Sequence, residues 1–157
     1  MTDIPPTENV RGLIDRLELQ PHPEGGWYRQ THRSPIQIPR GALPAGYGPD
    51  LDGRCAVTSI LFLLPTGMCS RSHRIQSEEL WLHHQGDDVR LIVAASSDMA
   101  GGHEHILGQG AGASLQAVVP RQQWQSAEAL AGPNGCALLA CVVAPGFEFA
   151  DFELAAG

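Results

Sequence analysis

The sequence predicts an all-β domain, an antiparallel sandwich, barrel or jelly roll, with one short N-terminal helix. Three observations predict it. Ten short strand-like segments follow one another from residue 26 onward, clusters of Gly, Pro, Asn and Asp separate them, and only one stretch repeats its apolar residues at helical spacing. The 18 Gly and 12 Pro among 157 residues favour turns and short elements over long helices.

The helix is expected over 9–20. Val10, Leu13, Ile14 and Leu17 fall at i, i+3, i+4 and i+7, Thr7 or Asn9 can cap the start, and Pro21 and Pro23 stop the pattern. Strands are expected at 26–33, 55–64, 69–75, 79–84, 88–95, 104–107, 115–119, 123–127, 136–144 and 148–154. Turn clusters such as Leu64-Pro65-Thr66-Gly67 and Gly132-Pro133-Asn134-Gly135 punctuate them. The segment 35–54 is rich in Pro, Gly and Asp and has no periodicity, so it reads as a long surface loop placed to serve as a lid. Nothing marks a second domain. Residues 1–157 read as one domain, large enough to bury a core without disulfides or a structural metal.

Composition excludes several kinds of chemistry. All ten basic residues are Arg, which removes Schiff-base catalysis and the phosphate-binding lysine of a P-loop. A net charge of −7 with no basic run argues against a nucleic-acid partner. The longest apolar run, from Ile60 to Pro65, is far shorter than a membrane span, and the acidic, Pro-containing N-terminus lacks signal-peptide character. Cys55, Cys69, Cys136 and Cys141 form no CxxC pair and read as reduced thiols of a cytoplasmic protein.

The richest stretch for chemistry runs from Gly67 to Gly86, two strands joined by a tight polar turn. Side chains two apart share a face, so His73 goes with Ile75, and Glu79 with Trp81 and His83. If that face lines a cavity, it offers imidazoles, a carboxylate and an indole for binding a small polar ligand, for acid/base work or for a metal. Trp27, Arg29, Thr31 and Arg33 share a face of the first strand. Arg29 there can clamp an anion or make contacts to a partner subunit. Trp81 and Trp124 can stack on a planar or carbohydrate ligand, or simply pack. His22, in Pro21-His22-Pro23-Glu24-Gly25-Gly26, reads as a structural cap, and Phe147, Phe149 and Phe152 read as apolar packing at a barrel mouth. His103-Glu104-His105 reads as a solvated hairpin tip rather than a metal pair.

The spacing Gly67, His73, Ile75, Glu79, Gly86 resembles the first motif of the cupin superfamily, in which a second His ordinarily stands where this chain has Ile75. Pro120-Arg121-Gln122-Gln123-Trp124-Gln125 resembles the second motif, with Gln125 in the place of a metal-binding His. The stretches Leu19 to Arg29, His73 to Trp81, Val119-Pro120 with Trp124-Gln125, and Ala144 to Phe149 are similar to the cupin-5 branch, whose function is unassigned. The resemblance implies a double-stranded β-helix, the cupin jelly roll, paired into a homodimer. Related small cupins include rhamnose-pathway sugar-nucleotide epimerases, auxin-binding proteins and metal-dependent oxygenases.

The expectation is a protein binding a small polar or anionic molecule inside the barrel. His73 and Glu79 form its centre, with Arg29, Trp81, His83, Trp124 and Gln125 around them. The alternative is an isomerase or epimerase on a carbohydrate-like substrate, His73 removing a proton and Glu79 orienting the imidazole. A third reading, a metal-dependent oxygenase, would hold a divalent metal weakly on His73, Glu79 and Gln125. Ile75 and Gln125 stand against it, since such sites need at least three good protein ligands.

Overall fold

The computed structural model of the chain describes residues 6–48 and 52–157. The first five residues, which belong to the N-terminus read above as lacking a signal peptide, and residues 49–51 of the expected 35–54 loop lie outside them. The described chain opens with helix α1 (Pro6–Leu17) and continues through β1 (Gln20–Pro21), β2 (Trp27–Arg33), β3 (Gln37–Pro39), β4 (Gly53–Cys55), β5 (Thr58–Pro65) and β6 (Cys69–Arg74). There follow β7 (Glu78–Gly86), β8 (Val89–Ala94), β9 (His103–Leu107), β10 (Gln116–Val119), β11 (Trp124–Ala129), β12 (Cys136–Ala144) and β13 (Glu153–Leu154).

The strands form two antiparallel sheets, in the order β1-β2-β5-β12-β7-β10 and β13-β6-β11-β8-β9, with β3 and β4 paired separately. Alternation explains the sandwich: every second side chain turns inward, and Phe62, Leu64, Trp81 and Leu139 of one sheet meet Val89, Leu91, Leu107 and Ala127 of the other in a single buried core. The all-β reading holds. Helix α1 covers the outer face of the six-stranded sheet, seating Leu13 with Leu63, Cys136 and Leu138.

Three expected boundaries shift. The helix begins at Pro6, so Thr7 and Asn9 lie within it rather than capping it, and it ends at Leu17 rather than at residue 20. Its stop is not the prolines but Glu18, which takes a left-handed φ of 53° while the Leu19 amide reaches back to the Ile14 carbonyl at 2.9 Å. The 35–54 segment is not a structureless lid. Its ends pair as β3 and β4, and Tyr47 packs between the guanidinium groups of Arg54 and Arg121, away from the cavity described below. Residues 148–154 form a single 3-10 turn and the two-residue β13 instead of a full strand, because Asp151 turns in to pair with the buried Arg54.

Candidate functional site

The site is built where the tight turn between β1 and β2 presses onto β6. The His22 amide bonds the Gly26 carbonyl, and the Arg71 amide bonds the Glu24 carbonyl at 2.8 Å. Gly25 has a φ of 111°, and a Cβ there would lie 2.2 Å from the Cys69 carbonyl oxygen, so only glycine allows this approach. The turn thereby inserts Glu24 into the sandwich. Its carboxylate accepts from the Ser70 hydroxyl at 2.9 Å and from His73 Nε2 at 2.9 Å.

His73 donates its other ring nitrogen, Nδ1, to the Arg71 carbonyl at 2.7 Å. With an acceptor at each nitrogen, the ring is held as an imidazolium. Burial by itself would lower its pKa, but the Glu24 charge and hydrogen bond, with Glu79 adding to them, push it up to about 9. Burial works against the Glu24 carboxylate too, and His73 outweighs it, holding the carboxyl below its ordinary range.

Glu79 is arranged differently. Gln125 donates to its carboxylate at 2.6 Å, the Cys141 thiol bonds it as well, and Gln125 in turn accepts from the Trp81 indole at 2.8 Å. Burial pushes the Glu79 pKa up to about 7; Glu24 adds to that, and His73 and Gln125 only partly offset it. Glu79 therefore changes charge near neutral pH while His73 keeps its proton. Both nitrogens of His73 are engaged, Nε2 by Glu24 and Nδ1 by the Arg71 carbonyl.

These carboxyls floor a cavity of about 350 Å³. One wall is aromatic, made of Tyr28, Phe147, Phe149 and Phe152. His22 lies against Tyr28 and Phe152, with ring centroids at 4.6 and 5.9 Å; its Nδ1 accepts the Glu24 amide at 3.2 Å, and burial lowers its pKa, leaving it neutral. At the rim Arg33 bonds Glu148 at 2.5 Å.

Of the residues singled out from the sequence, the structure brings together His73, Glu79, Gln125 and Trp81, the last two one and two hydrogen bonds behind Glu79. It does not bring His83, Trp124 or Arg29 to the cavity. His83 shares the inward face of β7 with Glu79, but four residues of strand carry it roughly 13 Å along the barrel. There its Nε2 meets the Asp87 carbonyl and its Nδ1 meets Gln109. Trp124 neighbours Gln125 and so points to the opposite face, where Arg74 stacks on it at 4.9 Å. Arg29 faces the helix and pairs with Glu18 at 3.6 Å. Arg33, read as sharing its face, reaches the cavity instead. A bulge between Gln30 and His32 inserts an extra residue and flips the alternation after it. Glu24 is the partner that sequence reasoning missed, a carboxylate just ahead of two consecutive glycines being the one available signal; His22, read as a structural cap, does cap the turn by accepting the Glu24 amide.

A family model described as "Cupin superfamily (DUF985)" matches residues 11–155. The chain is a cupin. No curated protein matches it. Among solved structures it is similar to a hypothetical protein from Leishmania major, at 31% identity over 91% of this chain and 85% of that one, with a TM-score of 0.76. A crystal structure of a Shewanella oneidensis protein is equally similar, at 32% identity over 92% and 83%, with a TM-score of 0.75. A variant of Bacillus subtilis oxalate decarboxylase shares the fold at 15% identity and a TM-score of 0.55; this chain spans 29% of it.

The divalent metal that the cupin fold implies does not fit these residues. Ile75 offers no donor, the Gln125 oxygen is taken by the Trp81 indole, and His73 Nε2 is committed to Glu24. Among the described residues, no group of three or more His, Cys, Asp or Glu is placed to hold a metal ion. Those described residues also include no helix long and apolar enough to cross a membrane, and the four cysteines are free thiols.

Proposed function

We propose that this cupin binds a small polar molecule in the cavity above Glu79 and exchanges a proton with it. The observation that carries this reading is the contrast between two neighbouring buried groups: His73 is locked as a cation by Glu24, while Glu79, at the cavity floor, titrates near neutrality. A thermal-shift screen of a chemically diverse compound panel tests it. Stabilising compounds are expected to lose most of their effect in Glu79→Gln, and undiminished shifts in that variant would place binding elsewhere.

One observation favours a catalytic version, an isomerase or epimerase on a carbohydrate-like substrate. Proton abstraction beside a carbonyl needs a base near pH 7 and positive charge close to the developing oxyanion. Glu79 meets the first need; for the second the chain, with no lysine, has only the charge of the His73 imidazolium, both of whose N–H groups are already bonded. Solvent deuterium is expected to wash into a keto-sugar or sugar-nucleotide with the wild-type protein and not with Glu79→Gln. A panel that stays unlabelled removes this version and leaves binding. The assembly that accompanies the reading is a homodimer, checked by light scattering, and free thiols suit a reducing cytoplasmic setting.

A further inference from the structure

The charges around the cavity do not balance. Arg33 and Glu148 cancel at the rim, and His22 is neutral. At the floor, two buried carboxyls, Glu24 and Glu79, face one imidazolium, His73, which sits 2.9 Å from Glu24. The remaining groups against Glu79 are neutral: the Gln125 amide from β11 and the Cys141 thiol from β12, itself kept protonated by burial and by Glu79. The floor is thus one positive charge short whenever Glu79 is ionised. An anion entering the cavity would find both cations already paired and a carboxylate beside it; a cation would find a counter-charge and an aromatic wall.

We propose that the cavity takes small organic cations, an ammonium headgroup lying against Tyr28, Phe149 and Phe152 with the Glu79 carboxylate as its counter-charge. Ring faces attract such headgroups, most strongly where water is excluded. This proposal rests on the small-molecule reading above and names its ligand class. The ligand and a proton then compete for the same place, so binding releases the Glu79 proton and tightens as pH rises through about 7.

Three probes of nearly one shape separate the possibilities by calorimetry: choline, its neutral isostere 3,3-dimethyl-1-butanol, and the anion 3,3-dimethylbutyrate. Choline is expected to bind most tightly, and about thirty-fold more tightly at pH 8 than at pH 5.5, the ratio of ionised Glu79 at the two values. Glu79→Gln should remove that pH dependence and weaken choline at least tenfold. Phe149→Ala, a change at an exposed ring, should weaken choline while keeping the pH dependence. Butanol or butyrate binding as tightly as choline at pH 8 overturns the cation assignment and leaves the small-molecule reading intact. So does a panel whose hits in the cavity are all neutral or anionic. If neither the three probes nor the wider panel bind, both readings fall.

Discussion

Burial alone does not decide what a titratable group becomes in this barrel; its nearest partner does. His73 and Glu79 are each under a tenth exposed, yet the first is charged because Glu24 bonds it directly, while for the second burial and the Glu24 charge outweigh His73, the Gln125 amide and the Cys141 thiol. The sign of the pH dependence follows. A Glu with a folded pKa near 7 and an unfolded value of 4.5 withdraws stability as pH rises across that window. Glu79→Gln removes this contribution, so its stability relative to wild type is expected to climb by about 3 kcal/mol between pH 4.5 and 7 and then level off. Urea unfolding at stepped pH measures it. His73 acts in the other direction from Glu24: its raised pKa gives stability that is complete below pH 6.5 and fades as pH climbs through about 9.

At the scale of elements, the two-glycine turn between β1 and β2 is the device that turns a sheet edge into a site. Gly25→Ala would set a methyl against the Cys69 carbonyl in a backbone conformation that alanine avoids, so the turn must lift from β6 and carry Glu24 away from His73. A loss of about 2–4 kcal/mol is expected from strain plus a weakened buried ion pair, with the His73 pKa falling toward its ordinary value in an NMR titration. The strands themselves were legible because alternation and turn residues are local signals; the 136–144 expectation coincides with β12. Side-chain direction along β7 was legible too, and it placed Glu79 and Trp81 correctly on one inward face. Depth along the barrel was not, which is why His83 fell at the wrong end. The bulge in β2 is equally silent in sequence, since one added residue changes which side chains face inward without changing composition.

For the whole molecule, the sandwich is closed by contacts between segments far apart in the chain, which no short-range pattern can announce. Arg54, 2% exposed, holds Asp151 of the C-terminal turn and donates to the Gly146 carbonyl, fixing the segment that carries the aromatic wall. Arg54→Ala strands a buried carboxylate. It is expected to cost about 3–5 kcal/mol in chemical denaturation and to weaken ligand binding by loosening Phe147, Phe149 and Phe152. The cupin motif made His73 and Glu79 recognisable, but Glu24 arrives from some fifty residues away in sequence and had no spacing to betray it. The hydrogen-bond chain behind the site has a spectroscopic corollary. Of Trp27, Trp81 and Trp124, Trp81 is the most deeply buried, at 1% exposure, and its indole N–H bonds the amide that bonds Glu79. When that carboxyl loses its proton, the change in charge is carried through the amide to the indole, so the emission of this tryptophan is expected to shift with the charge at the cavity floor, as a fluorescence titration through about pH 7 would show.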